Sequence, residues 1–461
     1  MRRALLSICA LVFSAFALVL VLHRYGFRID WSGNMSRVRI KNLARDNARV
    51  EESRAARRSE PVPVPAAVEK PVKMVKAAYW TDFRGPNRAG EYSESPINTE
   101  WPAAGLPRLW KQPIGGGYAS FTVGEGRAYT IEQRRDKEAV TAYDIETGRE
   151  LWAFSYPASF DEVLGGPGPR ATPVYRDGLV YSLGAMGDLY CLSAATGKPK
   201  WSKNILADND TKNIHWAMAG APLIVDDMVI VTPGGTSGKS IVAYNRLNGA
   251  PVWKSLNDRA AYTSPIVATL AGQRQIVWIS AERAVGTGVE DGKLLWEYPW
   301  PAQMDMNCSQ PVVIDESDVL LSSAQGPGAA LLKIAKEGDA FTAQPVWKNN
   351  RLKNKFNSSV LYQGYIYGFD EAILACIDPK TGELKWKGGR YGYGQLLLAG
   401  GYLVITTEQG ELVLVRATPE GHQEVARFQA IEGKTWNIPA IDHGLLLVRN
   451  TEEMACFRIG R

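Results

Sequence analysis

The sequence predicts an all-β fold: an eight-bladed β-propeller carried behind an N-terminal transmembrane helix and a Pro-rich linker. Three observations predict it. A hairpin phrase recurs along most of the chain, and Asp378-Pro379-Lys380-Thr381-Gly382-Glu383-Leu384-Lys385-Trp386 states it most clearly. Asp suits the start of such a turn because its side chain accepts backbone N–H groups ahead of it, and Gly suits the end because a bulged hairpin needs the left-handed conformation. The same phrase ends at Gly148, Gly197, Gly249 and Gly292, each four residues before Trp152, Trp201, Trp253 and Trp296. Longer turns precede Trp347 and Phe428, and Trp110 stands one repeat upstream of Trp152. The second observation is the spacing of these eight aromatics, from 39 to 52 residues, the period of four-stranded blades. The third is a Pro landmark in phase with the first (Pro173, Pro222, Pro265, Pro311, Pro439), each ahead of an apolar run. Pro lacks an N–H and belongs at the first residue of a strand. These runs are read as the innermost strands around a central channel.

Taken in order, the chain divides into 1–25, 26–77 and 78–461. Residues 4–22 form an uncharged apolar run behind Arg2-Arg3, long enough to span a bilayer as a helix. A cleaved signal peptide is the rival reading, with Ala15-Phe16-Ala17 resembling a cleavage site, but the run continues past it. An uncleaved anchor is therefore expected. Residues 34–59, rich in Arg, Ala and Glu, are expected to form a solvated charged stalk. Glu60-Pro61-Val62-Pro63-Val64-Pro65 opens an extended spacer running to about residue 77. Residues 1–77 hold 15 Lys/Arg against 6 Asp/Glu, and the remainder 38 against 42. The basic excess thus belongs to the tether, and the head offers none for nucleic acid.

The head opens with Trp80-Thr81-Asp82-Phe83-Arg84-Gly85-Pro86-Asn87-Arg88-Ala89-Gly90, which has no strand pattern and is expected to pack as a loop on the propeller surface. Leu109-Trp110-Lys111-Gln112 then reads as an outermost strand lacking the three before it. The last unit, from Asn437 on, has three candidate strands and lacks the fourth. The two halves complete one composite blade, which closes the ring and brings the count to eight. Trp110, Trp152, Trp201, Trp253, Trp296, Trp347, Trp386 and Phe428 are assigned to packing between blades.

Sites of chemistry are sparse. Cys191, Cys376 and Cys456 occupy a slot in the third strand where Ala142 and Ala243 sit elsewhere, so that position wants a small apolar residue. Equivalent slots in separate blades lie beyond disulfide reach, and Cys308 is expected to be unpaired with them. The run 233–240 looks like a phosphate loop, but it starts with Pro and lies between strands without a following helix, so it reads as a surface hairpin. The four histidines show no metal-ligand spacing. His215, Trp216, Tyr262, Asn307, Asn357 and Trp436 fall at comparable phases ahead of inner strands. Together they form the candidate channel-mouth surface for a ligand or peptide.

The Asp-x-x-Thr-Gly-x-x-x-Trp repeat resembles the tryptophan-docking repeat of the quinoprotein (PQQ) dehydrogenases and their non-enzymatic relatives. The 80–88 opening resembles that of the bacterial PQQ-like repeat family likened to the propeller lipoprotein of the outer-membrane barrel-assembly machinery. The resemblance covers about residues 79–461 and implies an extracytoplasmic, periplasmic head. It runs against the basic flank after residue 22, which the positive-inside rule would keep in the cytoplasm. It also implies a protein-interaction scaffold whose partners are envelope proteins, and the N-terminal helix read from residues 4–22 is expected to hold it to the inner membrane. The enzymatic branch resembles a PQQ-dependent oxidoreductase with calcium, the alternative here. That branch uses an adjacent Cys-Cys pair, which this chain lacks. No cofactor, metal or catalytic residue is therefore expected.

Overall fold

The computed structural model describes residues 18, 19, 21, 22, 24–31, 38–59 and 77–461. Most of the expected span 4–22 and nearly all of the Pro-rich spacer lie outside the described residues. Among those described, no helix is long and apolar enough to cross a membrane.

From residue 108 the chain builds eight four-stranded antiparallel sheets. Blades 1 to 7 occupy residues 122–156, 174–204, 223–255, 266–299, 312–349, 360–390 and 395–429. Blade 8 takes three strands from 440–458 and its fourth, Arg108–Pro113, from the N-terminal side. The closing register sets Met454 against Gln112 and Cys456 against Trp110, so the ring is joined by a strand ladder and not by packing alone. In every other blade the strands run in chain order from first to fourth. First strands of neighbouring blades touch, which places them innermost. Each Pro landmark stands one residue before its first strand, so the missing N–H removes nothing from the ladder. The core lies between blades, as clusters that join the apolar faces of adjacent sheets.

The blade-end aromatics share one geometry. The indole N–H of Trp110, Trp152, Trp201, Trp253, Trp347 and Trp386 donates to a carbonyl in the third-to-fourth-strand connection of the following blade, at 2.7–3.0 Å. The turn glycine of that blade packs against the ring: a Cβ on Gly249 would lie 2.8 Å from Trp201, and one on Gly197 2.5 Å from Trp152. Trp296 departs from this. Blade 5 replaces the tight turn with a hairpin of two ten-residue strands, and Trp296 turns inward to Gln275 Oε1 at 2.6 Å. The small-residue slot has its reason here as well. Cys191, Cys376, Cys456, Ala142 and Ala243 each pair directly across the ladder from their blade's Trp, and a bulge follows each. Cys191, Cys308, Cys376 and Cys456 are all free thiols.

The expected stalk is not wholly solvated. A helix, Leu43–Ser59, lies against blades 8 and 1. Arg54 donates to both oxygens of the fully buried Glu132 at 2.9 and 2.8 Å, and Arg57 to the Lys111 carbonyl on the closing strand at 3.2 Å. Burial alone would raise the Glu132 carboxyl, but Arg134, Arg54 and Arg449 together hold it down at about 2. A charged residue on a polar helix looks solvated in sequence. Its buried carboxylate partner, 78 residues away, is visible only in the fold.

Candidate functional site

The segment 80–90 does not pack on the outer surface. It fills the channel from one end. Trp80 N–H donates to Asp442 at 3.0 Å, while the carbonyls of Trp80 and Thr81 accept from Val123 and Tyr175, residues in the first strands of blades 1 and 2. Deeper in, Arg84 donates to the carbonyls of Ser358 and Ser359, and Arg88 to those of Ala221, Pro222 and Pro265. Trp80, Arg84 and Arg88 are all buried. Gly85 and Gly90, both at positive φ, let the Trp80 ring and the Arg84 guanidinium approach closer than any Cβ would allow. The chain then leaves as a short parallel strand, Glu91–Tyr92, beside the first strand of blade 7. Desolvation lowers the Arg84 guanidinium to about 10, since its partners are neutral carbonyls. Arg88 also has the carboxylate of Asp82 at 2.8 Å.

At the same end Glu94, Asp442 and His443 form the group of three potential metal ligands found among the described residues. They are already engaged in holding the plug. His443 N–H donates to Glu94 at 2.8 Å, its ring contacts the same carboxylate, and Asp442 takes the Trp80 N–H. Burial raises the Asp442 carboxyl.

The opposite end is the mouth, where the chain enters each first strand. The six candidate residues do not form one site there. His215 stands edge-on to Trp216 with ring centroids 4.6 Å apart, and Trp216 lies 5.9 Å from Tyr262. The Trp216 indole donates to Glu162 at 3.0 Å, and burial raises the Tyr262 phenol to about 12. His215 and Tyr262 border a cleft of about 460 Å³ that also includes Asp210, Arg259, Asp305 and the 233–237 loop. Trp436 belongs to a second group, 4.6 Å from Phe356 and stacked 5.5 Å from Tyr118. Asn307 and Asn357 are buried and spend their amide N–H groups on structure: Asn307 on the Ser280 and Trp300 carbonyls, Asn357 on Gly394 of the next blade. Sequence reasoning missed Tyr118, Lys355, Phe356, Tyr393 and Lys434. Aligning each blade entrance on the phase of Trp436 would have found the aromatic members.

A profile of the family described as outer membrane protein assembly factor BamB matches residues 136–388. Outer membrane protein assembly factor BamB of Burkholderia pseudomallei is 21% identical over 383 residues, covering 76% of this chain and 90% of the relative. Quinoprotein alcohol dehydrogenase PedH of Pseudomonas putida is 23% identical over 164 residues, which span 34% of this chain and 26% of that enzyme. Among solved structures, BamB from Moraxella catarrhalis superposes with a TM-score of 0.55 at 14% identity, covering 77% of this chain and 98% of that one.

Proposed function

Because the chain belongs to the family of the outer membrane protein assembly factor BamB, we propose that it is a non-enzymatic interaction scaffold of the bacterial envelope. In this reading residues 4–22 anchor it in the inner membrane and the propeller stands in the periplasm. Its partners are other envelope proteins concerned with outer-membrane assembly. The observation that carries the reading is the plug. With residues 80–90 filling one end of the channel, the accessible surfaces are the mouth and the outer blade edges, which suit protein contacts. The blade-end Trp residues serve as docking groups between blades, and His215, Trp216, Tyr262 and Trp436 belong to the contact surface. Cross-linking in intact cells, followed by partner identification, tests this. Outer-membrane assembly proteins are the expected partners, and exclusively cytoplasmic partners would refute the reading.

The stretch shared with PedH favours a second reading, a PQQ-dependent oxidoreductase with calcium. PQQ, when bound, supplies two-electron redox chemistry. Calcium requires a cage of oxygen ligands. At the mouth the carboxylates of Glu408 and Glu162 accept from the Trp436 and Trp216 indoles, and Cys308 stands without an adjacent cysteine. This donor set does not fit the cofactor. Titration with PQQ and calcium, read by absorbance and dye-linked alcohol oxidation, separates the two readings. Stoichiometric sub-micromolar binding with turnover would overturn the scaffold.

A further inference from the structure

One half of the mouth carries a continuous arc of rings and cations. It crosses five consecutive blade entrances, from blade 6 through 7, 8 and 1 to blade 2. Phe356 lies 5.8 Å from Tyr393 and 4.6 Å from Trp436, Trp436 lies 5.5 Å from Tyr118, and Arg170 bridges Tyr118 to Phe160 at 5.6 and 4.6 Å. Lys355 sits over Tyr393 at 4.0 Å and Lys434 over Trp436 at 4.2 Å. All of these side chains are half-buried, so the rings and ammonium groups remain in reach of solvent. Neither lysine ion-pairs with a described residue, and Glu408, the carboxylate under Trp436, is buried and occupied by the indole N–H.

We propose that this arc docks an extended acidic segment of a partner protein, its carboxylates on Lys355 and Lys434 and its apolar or aromatic side chains on the rings. The inference rests on the scaffold reading and names the chemistry of the partner at the mouth. Charge complementarity favours it. Residues 78–461 hold 38 Lys/Arg against 42 Asp/Glu, so the arc is a positive patch on a head of slightly negative net charge that has no overall attraction for an acidic segment, and complementarity directs such a segment to the arc. Its extent favours a polypeptide over a small anion, since five blade entrances exceed what one compact ligand can cover. Rings and cations also suit single-stranded nucleic acid. The negative head around the arc argues against a polyanion that must track over many contacts.

The test uses the full chain in detergent micelles and four fluorescent probes: a ten-residue peptide alternating Asp/Glu with Phe/Leu, its Asn/Gln version, its Lys version, and oligothymidylate. The acidic peptide is expected to bind at least tenfold more tightly than the neutral one, with affinity falling as salt rises. The double variant Lys355→Glu/Lys434→Glu should lose that tenfold and prefer the Lys peptide, while Lys198→Glu/Lys293→Glu, exposed and away from the mouth, should leave binding unchanged. Equal unfolding midpoints confirm that each variant folds. Acidic-peptide binding that ignores the Lys355/Lys434 reversal, the lack of any such binding, or a preference for oligothymidylate would overturn the proposal. The same variants are cross-linked in cells. Envelope partners captured equally by the reversed arc would discard the arc and keep the scaffold, whereas wild-type chain capturing none would discard the scaffold itself.

Discussion

Replacing Gly249 with alanine should cost more than its backbone strain alone, and Gly178→Ala is its matched control. Both glycines hold a left-handed conformation, φ 72° at Gly249 and 75° at Gly178, so both substitutions carry the same backbone strain of about 1–2 kcal/mol. They differ in what the new methyl meets. At Gly178 nothing lies within 4 Å, whereas at Gly249 the Trp201 ring lies 2.8 Å from the added carbon. The ring must move, and its N–H then leaves the Arg246 carbonyl it holds at 2.9 Å. A forced shift in a packed interface costs roughly 1–3 kcal/mol and the lost hydrogen bond about 1. Gly249→Ala should therefore destabilise by about 3–6 kcal/mol, and Gly178→Ala by about 1–2. Urea denaturation followed by both tryptophan fluorescence and far-UV circular dichroism measures the difference, provided the two transitions coincide. Equal costs for the two variants would refute the claim that the glycine exists to seat the neighbouring ring.

Deleting residues 78–115 should leave the blade 8 strand Glu453–Arg458 as a bare edge, and the product should melt lower and self-associate; a monomer of unchanged melting temperature would contradict closure by strand pairing. Burial raises the thiols of Cys191 to about 11 and of Cys308, Cys376 and Cys456 to about 12, so alkylation at pH 8 should label all four on denaturation without reductant and almost none before it. Mass spectrometry showing one disulfide among them would overturn this. The Glu132 carboxyl, held at about 2 against an ordinary 4.5, contributes stability that is fully present above pH 4.5 and is lost as pH falls toward 2. That stabilisation is about 3 kcal/mol, and Glu132→Gln should flatten the acid limb of the stability–pH curve; an unchanged acid limb would show the carboxylate to be idle.

The blades were legible because a repeat states its rule many times. Asp, Gly and Trp at constant offsets expose both the turn and the interface it serves, and unequal chain ends disclosed the shared blade. The slot filled by Cys191 or Ala142 was legible as small, though its cause, the Trp across the ladder, needed the register. What was lost is what happens once. Residues 80–90 have no periodicity, and their arginines carry a surface signature while their partners lie on blades 3, 4 and 6, up to 275 residues away. At the mouth, phase alone found Trp216, Tyr262 and Trp436. It could not tell them from Asn307 and Asn357, because a buried asparagine satisfying backbone and an exposed one awaiting a ligand look alike in sequence.

The plug also explains why arginine, the least expected core residue, lies at the centre of this head. The first strand of every blade but the seventh, which Glu91–Tyr92 flanks, is an edge strand, and the residues leading into it turn backbone carbonyls toward the channel with no strand to meet them. Such entrances around one axis need donors more than they need apolar filling. Arginine offers five N–H groups and no acceptor, so two side chains from one short segment can reach carbonyls on three blades, which no apolar pair could do. Placing a guanidinium there is costly, and the depression of Arg84 to about 10 records that cost. Fixed donors, unlike water, also tie those blades to the segment that continues to the closing strand. The ring is thereby clamped at its axis by the same stretch of chain that seals its rim at Trp110 and Gln112.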